Sequence, residues 1–590
     1  MLRVRSRLFR LIVLLRAAAR SDHVILSVLS VVVGLATGGS IILFREFIVL
    51  TQWQSYGAQA SDAFFHGLVP WWRIMLVTTT GGLLVGLVLR YAMPGGRPQA
   101  VADVIAASAL RGGTMSGRAG VMAAIVSALS LGAGASSGRE GPAVHIGATL
   151  GGWLAGQLHL TRSVSRTLLG CGVAAAVAAS FNAPLAGALF ASEVVIGHYA
   201  LRAFAPIVIA SVTGTVVSQA WFGSFPAFKI SHDGIASLWE FPAFVGLGIV
   251  AAIAATVFIR AIFLAEDLSK RISVPPFLRP AIGGVLLGLI ALVYPQVLGV
   301  GYLVTGAALS EVLPLTLLVG ICAAKIVATA TTLGFSWGGG VFSPSLVIGA
   351  TLGGAYGIIA TYFFPELSSG YGVYAMIGMG AVAAAVLGAP ISTTLIIFEL
   401  TGDYEVTLAV MLAVVVASLV TQKLTGPSYF ALQLERRGLM LRGGFERTLL
   451  RGIRVADVMA TDGETVLPKA KLPEIRGKLQ QSSAGELFVV SEDGTFLGTI
   501  SMADLSESAF DHDFDDLINA MDVARPHPPM LGAEDTMDKG LQLIRETGEA
   551  HIAVVADADS MRFIGCLHER DAMHVYNRSL VEQRREERGE

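Results

Sequence analysis

The sequence predicts an all-α polytopic membrane protein built from two inverted repeats, followed by an α/β tail that is itself duplicated. Three observations carry this. Of 590 residues, 53% are hydrophobic and only 15% charged, with a mean hydropathy of +0.65, the composition of a multi-spanning chain. The segment Ile146-Gly147-Ala148-Thr149-Leu150-Gly151-Gly152 returns letter for letter at Ile348-Gly349-Ala350-Thr351-Leu352-Gly353-Gly354. Hydrophobicity then stops near residue 425, and Asp and Glu become frequent beyond an arginine-rich stretch from Glu435 to Arg454.

Taken in order, residues 1–22 carry Arg3, Arg5, Arg7, Arg10, Arg16 and Arg20. Arg16 and Arg20 leave no clean apolar core for a signal peptide. A basic amphipathic helix on the cytoplasmic leaflet and a simple positive-inside flank both fit, and both put the N-terminus in the cytoplasm. Apolar runs at 24–44, 74–89, 242–264 and 281–299 are long enough to span a bilayer. Those at 120–133 and 143–158 are short and punctuated by glycine, as re-entrant or broken helices are. The membrane region is read as 23–440, with repeats over about 20–220 and 240–440.

The tail, 441–590, repeats a helix-like stretch, an apolar strand and a Gly-apolar-apolar-x-x-x-Asp ending, over about 452–510 and 517–580. The endings are Gly498-Thr499-Ile500-Ser501-Met502-Ala503-Asp504 and Gly565-Cys566-Leu567-His568-Glu569-Arg570-Asp571. Paired βαβ-type units are predicted, cytoplasmic like the N-terminus. The net charge of −2 gives no footprint for nucleic acid. Cys171, Cys322 and Cys566 are too dispersed for a disulfide framework or metal cluster.

The chemistry lies at two matched helix starts, Gly138-Arg139-Glu140-Gly141-Pro142 and Gly340-Val341-Phe342-Ser343-Pro344. Their offset, 340 − 138 = 202, equals that of the repeated heptapeptide. Glycine lets backbone N–H groups approach a ligand, and proline at the first helical position loses no hydrogen bond. The helix that follows presents unpaired N–H groups and a positive dipole end. Two such starts meeting near the midplane would cradle a small anion without a full positive charge, weakly enough to release it. Ordinary capping explains one such start; two at one offset favour the anion site. Glu140 lies inside the first start, where it can compete with the anion as a tethered carboxylate and leave when protonated; a carboxylate held permanently by its neighbour Arg139 is the alternative, which the flanking glycines disfavour. A second echo joins Asn182-Ala183-Pro184…Glu193 to Gly388-Ala389-Pro390…Glu399, at an offset of 206.

These residues resemble the signatures of the CLC chloride channels and proton-coupled chloride transporters. Asn182-Ala183-Pro184-Leu185-Ala186-Gly187 and Phe398-Glu399-Leu400-Thr401-Gly402-Asp403-Tyr404 match as well, and the tail resembles a pair of CBS domains. The resemblance implies a homodimer with one anion pathway per subunit and a multi-pass protein of a bacterial inner membrane. It implies that Glu140 gates, that the backbone amides of Val341 and Phe342 touch the central anion, and that Gly138, Arg139, Gly141 and Gly340 build the site. Protons are then the second partner.

Three positions depart from the family pattern. Pro98-Gln99-Ala100-Val101-Ala102 stands where Gly-Ser-Gly-x-Pro is usual, so Gln99 either replaces the anion-touching serine or faces water. The pore tyrosine aligns with Phe430, with Tyr429 adjacent. Val194 follows Glu193 where antiporters often carry an inner proton glutamate, and Glu193 itself reads as a structural brace. His145 reads as a packed core histidine, and Lys325 either adds positive potential or snorkels to an interface.

In the tail, the first copy keeps Thr499, Ser501 and Asp504, which resemble the ribose-and-phosphate contacts of nucleotide-binding CBS domains. His568 breaks the pattern in the second copy. The cofactor reading is therefore none required, with an adenine nucleotide as the candidate regulatory ligand and a purely structural module as the alternative. The expected function is anion transport exchanged with or gated by protons. A passive voltage- or pH-gated channel is the alternative within this class, and a membrane-anchored nucleotide sensor the alternative outside it. No catalytic residue and no metal site are expected.

Overall fold

The computed structural model describes residues 22–57, 60–197, 201–223, 234–439, 450, 453–461, 463–482, 485–505, 515–557 and 559–588. The basic segment before Asp22 and most of the arginine-rich stretch after Leu439 lie outside the described residues. The chain divides between Leu439 and Met440 into two compact units, and each is described by itself.

In the first unit nine helices among the described residues are long and apolar enough to cross a membrane, beginning with Val24–Tyr56. Shorter apolar helices, including Val101–Leu110, Pro184–Ile196 and Pro390–Thr401, lie between them. The apolar run at 281–299 is helical only to Val293, because a turn at Pro295–Val297 follows.

The duplicated heptapeptide has a packing cause. It lies in the helices Glu140–Gln157 and Phe342–Phe363. Each packs on the helix that follows it, Arg162–Phe181 in the first repeat and Tyr371–Leu387 in the second. A Cβ on Gly147 would lie 2.1 Å from the Gly172 carbonyl oxygen, and one on Gly349 would lie 2.3 Å from that of Gly378. Contacts that close admit only glycine, and close backbone approach drives helix association in lipid.

The second echo marks helix boundaries. Arg162–Phe181 stops at Asn182 and Tyr371–Leu387 stops at Gly388, both in the left-handed region (φ 59° and 68°). Pro184 and Pro390 then occupy the first turn of the next helix, where a missing N–H is harmless. The first of these helices runs on through a π-helical segment, Ala191–Ile196, which carries Glu193.

The second unit holds two sheets. The first has β1 (Thr465–Val466), β2 (Glu486–Val490), β3 (Phe496–Ser501) and β4 (Arg525–Pro526) in that order. The second has β5 (Met530–Gly532), β6 (His551–Val555) and β7 (Phe563–His568). β1 pairs parallel with β2 and β5 with β6, while β2–β3 and β6–β7 are antiparallel. Both hairpins are irregular at the same place, Val489/Val490 and Val554/Val555, which confirms the duplication at backbone level. The parallel pairs enclose the helices Leu472–Gln481 and Met537–Thr547, as a βαβ crossover requires. Phe488, Phe496, Ala553, Val555 and Cys566, with Phe563 against them, form an apolar cluster shared by the two copies.

Candidate functional site

The two Gly-x-x-x-Pro segments meet at their glycines. Gly138 N–H donates to the Gly340 carbonyl at 2.7 Å, and Gly340 N–H donates back to the Gly138 carbonyl at 2.8 Å, an isolated antiparallel bridge. The helices Glu140–Gln157 and Phe342–Phe363 both start within two residues of it. Their first N–H groups lack intrahelical acceptors, and the positive ends of both dipoles face this point. A Cβ on Gly141 would stand 3.1 Å from the Gly340 Cα, so a side chain there would push the two segments apart by a few tenths of an ångström.

Glu140 is buried, 2% exposed, inside the helical unit. Its Oε1 accepts a hydrogen bond from the Tyr302 hydroxyl at 2.7 Å, and its Oε2 accepts one from the Ser343 hydroxyl at 2.5 Å. Arg139 Nε stands 3.7 Å from Oε1, and the Arg139 guanidinium lies 4.8 Å from the Tyr302 ring centre. A Cβ on Gly138 would come within 2.8 Å of Oε2 and 3.0 Å of the Ser343 nitrogen. The carboxylate of the first repeat therefore rests at the start of the second repeat's helix, where unpaired N–H groups favour an anion. Sequence reasoning missed Tyr302, which belongs to no duplicated motif. Ser343 stood inside a quoted motif without a role.

Two cavities flank this carboxylate. The first, about 70 Å³, is lined by Glu140, Gly141, Gly340, Val341, Phe342, Tyr429 and Phe430. Pockets for drug-sized organic solutes run to roughly 300–1,000 Å³, so this one suits a small ion with a few waters. The second, about 200 Å³, is lined by Arg45, Arg139 and Tyr302 among others. Glu140 and Tyr302 are joined by a hydrogen bond and stand between the two.

Gln99 does not line the first cavity, although Pro98 and Ala100 do. Val101, the next residue in that segment, lines it as well. Phe430 and Tyr429 both line it. Tyr429 stacks on Phe263, and its hydroxyl accepts a hydrogen bond from Gln433. At the same end of the cavity Arg437 pairs with Asp103 at 3.2 Å, and Arg97 pairs with Asp103 at 2.6 Å.

The remaining intramembrane polar residues have assigned partners or none. Glu193 accepts hydrogen bonds from Ile391 and Ser392 N–H, as a brace does. Lys325 is fully buried and reaches no interface. Its Nζ donates to the carbonyls of Val297 and Gly299, both at 2.9 Å, which corrects the snorkelling alternative. His145 is fully buried with both ring nitrogens unpartnered, a packed residue of the core. Among the described residues no group of His, Cys, Asp and Glu is arranged to hold a metal ion.

In the second unit Asp504 is already engaged. It accepts from the Ser501 N–H at 2.9 Å and the Ser501 hydroxyl at 2.7 Å, and it pairs with Arg525 at 3.2 Å. Burial alone would raise the Asp504 carboxyl, but the Ser501 hydrogen bonds and the Arg525 guanidinium outweigh it and hold the group below the usual carboxylate range. Thr499 is buried beneath, its hydroxyl without a partner.

Comparison with known proteins agrees with this geometry. Residues 81–422 match the family described as "Voltage gated chloride channel", and residues 455–511 and 520–578 each match the CBS domain. A putative chloride channel protein, ClcB-like, from Ralstonia nicotianae is 34% identical over 68% of this chain and 95% of that protein. Chloride channel protein CLC-f of Arabidopsis thaliana is 29% identical over 80% of this chain and 68% of that protein. Among solved structures, a slow cyanobacterial Cl⁻/H⁺ antiporter superposes with a TM-score of 0.64 at 23% identity, covering 71% of this chain and 99% of its own. A eukaryotic CLC transporter superposes with a TM-score of 0.61 at 19% identity, covering 92% of this chain and 97% of its own. With a family match over more than half of its length, a 34%-identical relative covered almost end to end, and paired helix starts around a buried glutamate, this multi-pass integral membrane protein belongs to the CLC family of anion channels and transporters.

Proposed function

We propose that the protein moves chloride or a similar small anion across a bacterial inner membrane in exchange for protons, with Glu140 as the gate and proton carrier. The observation that carries this reading is the seat of the Glu140 carboxylate at the start of the helix Phe342–Phe363, against Ser343. Ionised, the carboxylate occupies the place an anion would take. Protonation cancels its charge, the seat empties, and an anion enters to meet the amides of Val341 and Phe342 and the glycines of both starts. Return of the carboxylate expels the anion and releases the proton, so one group alternates between the two cargoes. Solved relatives in this fold include a Cl⁻/H⁺ antiporter and a CLC-type fluoride/proton antiporter, which supports exchange.

The competing reading is a passive channel gated by voltage or pH. Val194, beside Glu193, favours it, because it offers no second carboxylate for protons. On either reading two copies form the homodimer, both termini face the cytoplasm, and the tail takes at most one adenine nucleotide per chain through Thr499, Ser501 and Asp504. The anion pathway is tested with purified protein in liposomes. Glu140→Gln should leave anion efflux nearly independent of pH, and wild-type pH dependence in that variant would refute the assignment. Calorimetry on the full-length protein tests the tail: Asp504→Ala should abolish nucleotide binding, and a wild-type protein that binds none favours the structural module.

A further inference from the structure

We propose that Tyr302 and Ser343 form a two-hydroxyl latch that decides when Glu140 yields its place to an anion, with Lys325 holding Tyr302 in position. The inference rests on the reading of Glu140 as the gate and adds the residues that set its release. Each carboxylate oxygen receives one O–H donor, Tyr302 on Oε1 and Ser343 on Oε2. An ionised carboxylate accepts both at once, and charge-assisted bonds of this kind are roughly twice as strong as neutral ones. Protonation removes the charge that strengthens both bonds and makes one oxygen a donor and a poorer acceptor, so the bond to that oxygen weakens or reverses. The latch therefore holds the charged gate and loosens on protonation. An anion entering the vacated seat inherits the same two donors.

The placement of Tyr302 has its own support. It opens the helix Tyr302–Leu309, and the residue before it, Gly301, is left-handed (φ 89°). The turn leading there carries the Val297 and Gly299 carbonyls that accept from Lys325 Nζ. A buried amine is expensive to leave without hydrogen-bond partners, so its two carbonyl acceptors pin the turn and with it Tyr302. Ser343 is fixed differently, as a fully buried residue in the first turn of the helix Phe342–Phe363. Two donors from distant segments are thus aimed at one carboxylate. The charged groups near it are Arg139, 3.7 Å from Oε1, and Arg45 and Glu46, which line the same cavity as Arg139 and Tyr302. Tyr302→Phe leaves both arginines and the aromatic ring in place and removes only the hydroxyl, with its hydrogen bonds to Glu140 and Ser343.

The test is the pH profile of chloride efflux from liposomes holding full-length wild type, Tyr302→Phe, Ser343→Ala, Glu140→Gln, or Glu140→Gln combined with Tyr302→Phe. A carboxylate that has lost a donor takes a proton more readily. Each single hydroxyl variant should therefore move the midpoint up by about one pH unit, tenfold in proton concentration. In the Glu140→Gln background Tyr302→Phe should change nothing in the profile, a non-additivity that a general structural effect does not produce. Active Tyr302→Phe and Ser343→Ala proteins with the wild-type midpoint, beside a flat Glu140→Gln profile, would overturn the latch and leave the gate standing. Wild-type pH dependence in Glu140→Gln would overturn the gate and the latch together.

Discussion

Glu193 and Glu399 each hold the start of the helix that carries the other. Glu399, near the end of Pro390–Thr401, accepts the N–H groups of Leu185 and Ala186 at 2.9 and 2.8 Å. Glu193 accepts those of Ile391 and Ser392 at 3.1 and 2.8 Å, together with the Ser392 hydroxyl. Helix starts leave N–H groups that lipid cannot satisfy, and the two repeats satisfy them for each other. The exchange is reciprocal, as expected of a pseudo-two-fold pair.

Removing one carboxylate should therefore weaken the fold rather than the ion site. Glu399→Ala strands two N–H groups and should cost on the order of 3 kcal/mol, seen as a lower thermal midpoint in detergent. The chloride-to-nitrate flux ratio of the surviving protein should match wild type. A changed ratio with an unchanged midpoint would mean that Glu399 faces the ion.

Gln99 gives a prediction opposite to the one its alignment suggests. Pro98, Ala100 and Val101 of that segment line the cavity wall, and Gln99 does not. Gln99→Ser should leave the chloride-to-nitrate ratio within twofold of wild type in paired liposome efflux assays. A larger shift would place the residue in the pathway.

What the sequence made legible follows from where the constraint lies. Gly138 and Gly340 could be paired in advance because duplication keeps both starts recognisable, and Pro184 and Pro390 could be paired in the same way. Glu193 and Glu399 were visible as repeat mates, but their partners are backbone amides, which leave no signature in side-chain identity. Lys325 was conspicuous in an apolar run, yet its acceptors are carbonyls of Val297 and Gly299, equally silent. Tyr302 lies 162 residues from Glu140 in an unduplicated segment, and only the fold brings them to 2.7 Å.

The tail offers a pH test. Ser501 and Arg525 depress the Asp504 carboxyl against the opposing effect of burial. A depressed carboxylate stabilises the fold fully above its unfolded value, about 3.9, and loses that contribution as pH falls through the folded value. Wild-type β3 amides should keep their protection from hydrogen exchange down to about pH 4 and lose part of it below. In Asp504→Asn that step should be reduced, after correction for intrinsic exchange. An identical step in both proteins would show that another group titrates.

The central claim is that one carboxylate, Glu140, serves protons and anions in turn. It is tested most directly by imposing a chloride gradient on proteoliposomes of the wild-type protein, clamping the voltage with an ionophore and recording external pH. The account predicts that protons move uphill, driven by chloride, and that Glu140→Gln retains chloride flux while proton movement disappears. Robust wild-type chloride flux with no proton movement would contradict it and make the protein a passive channel.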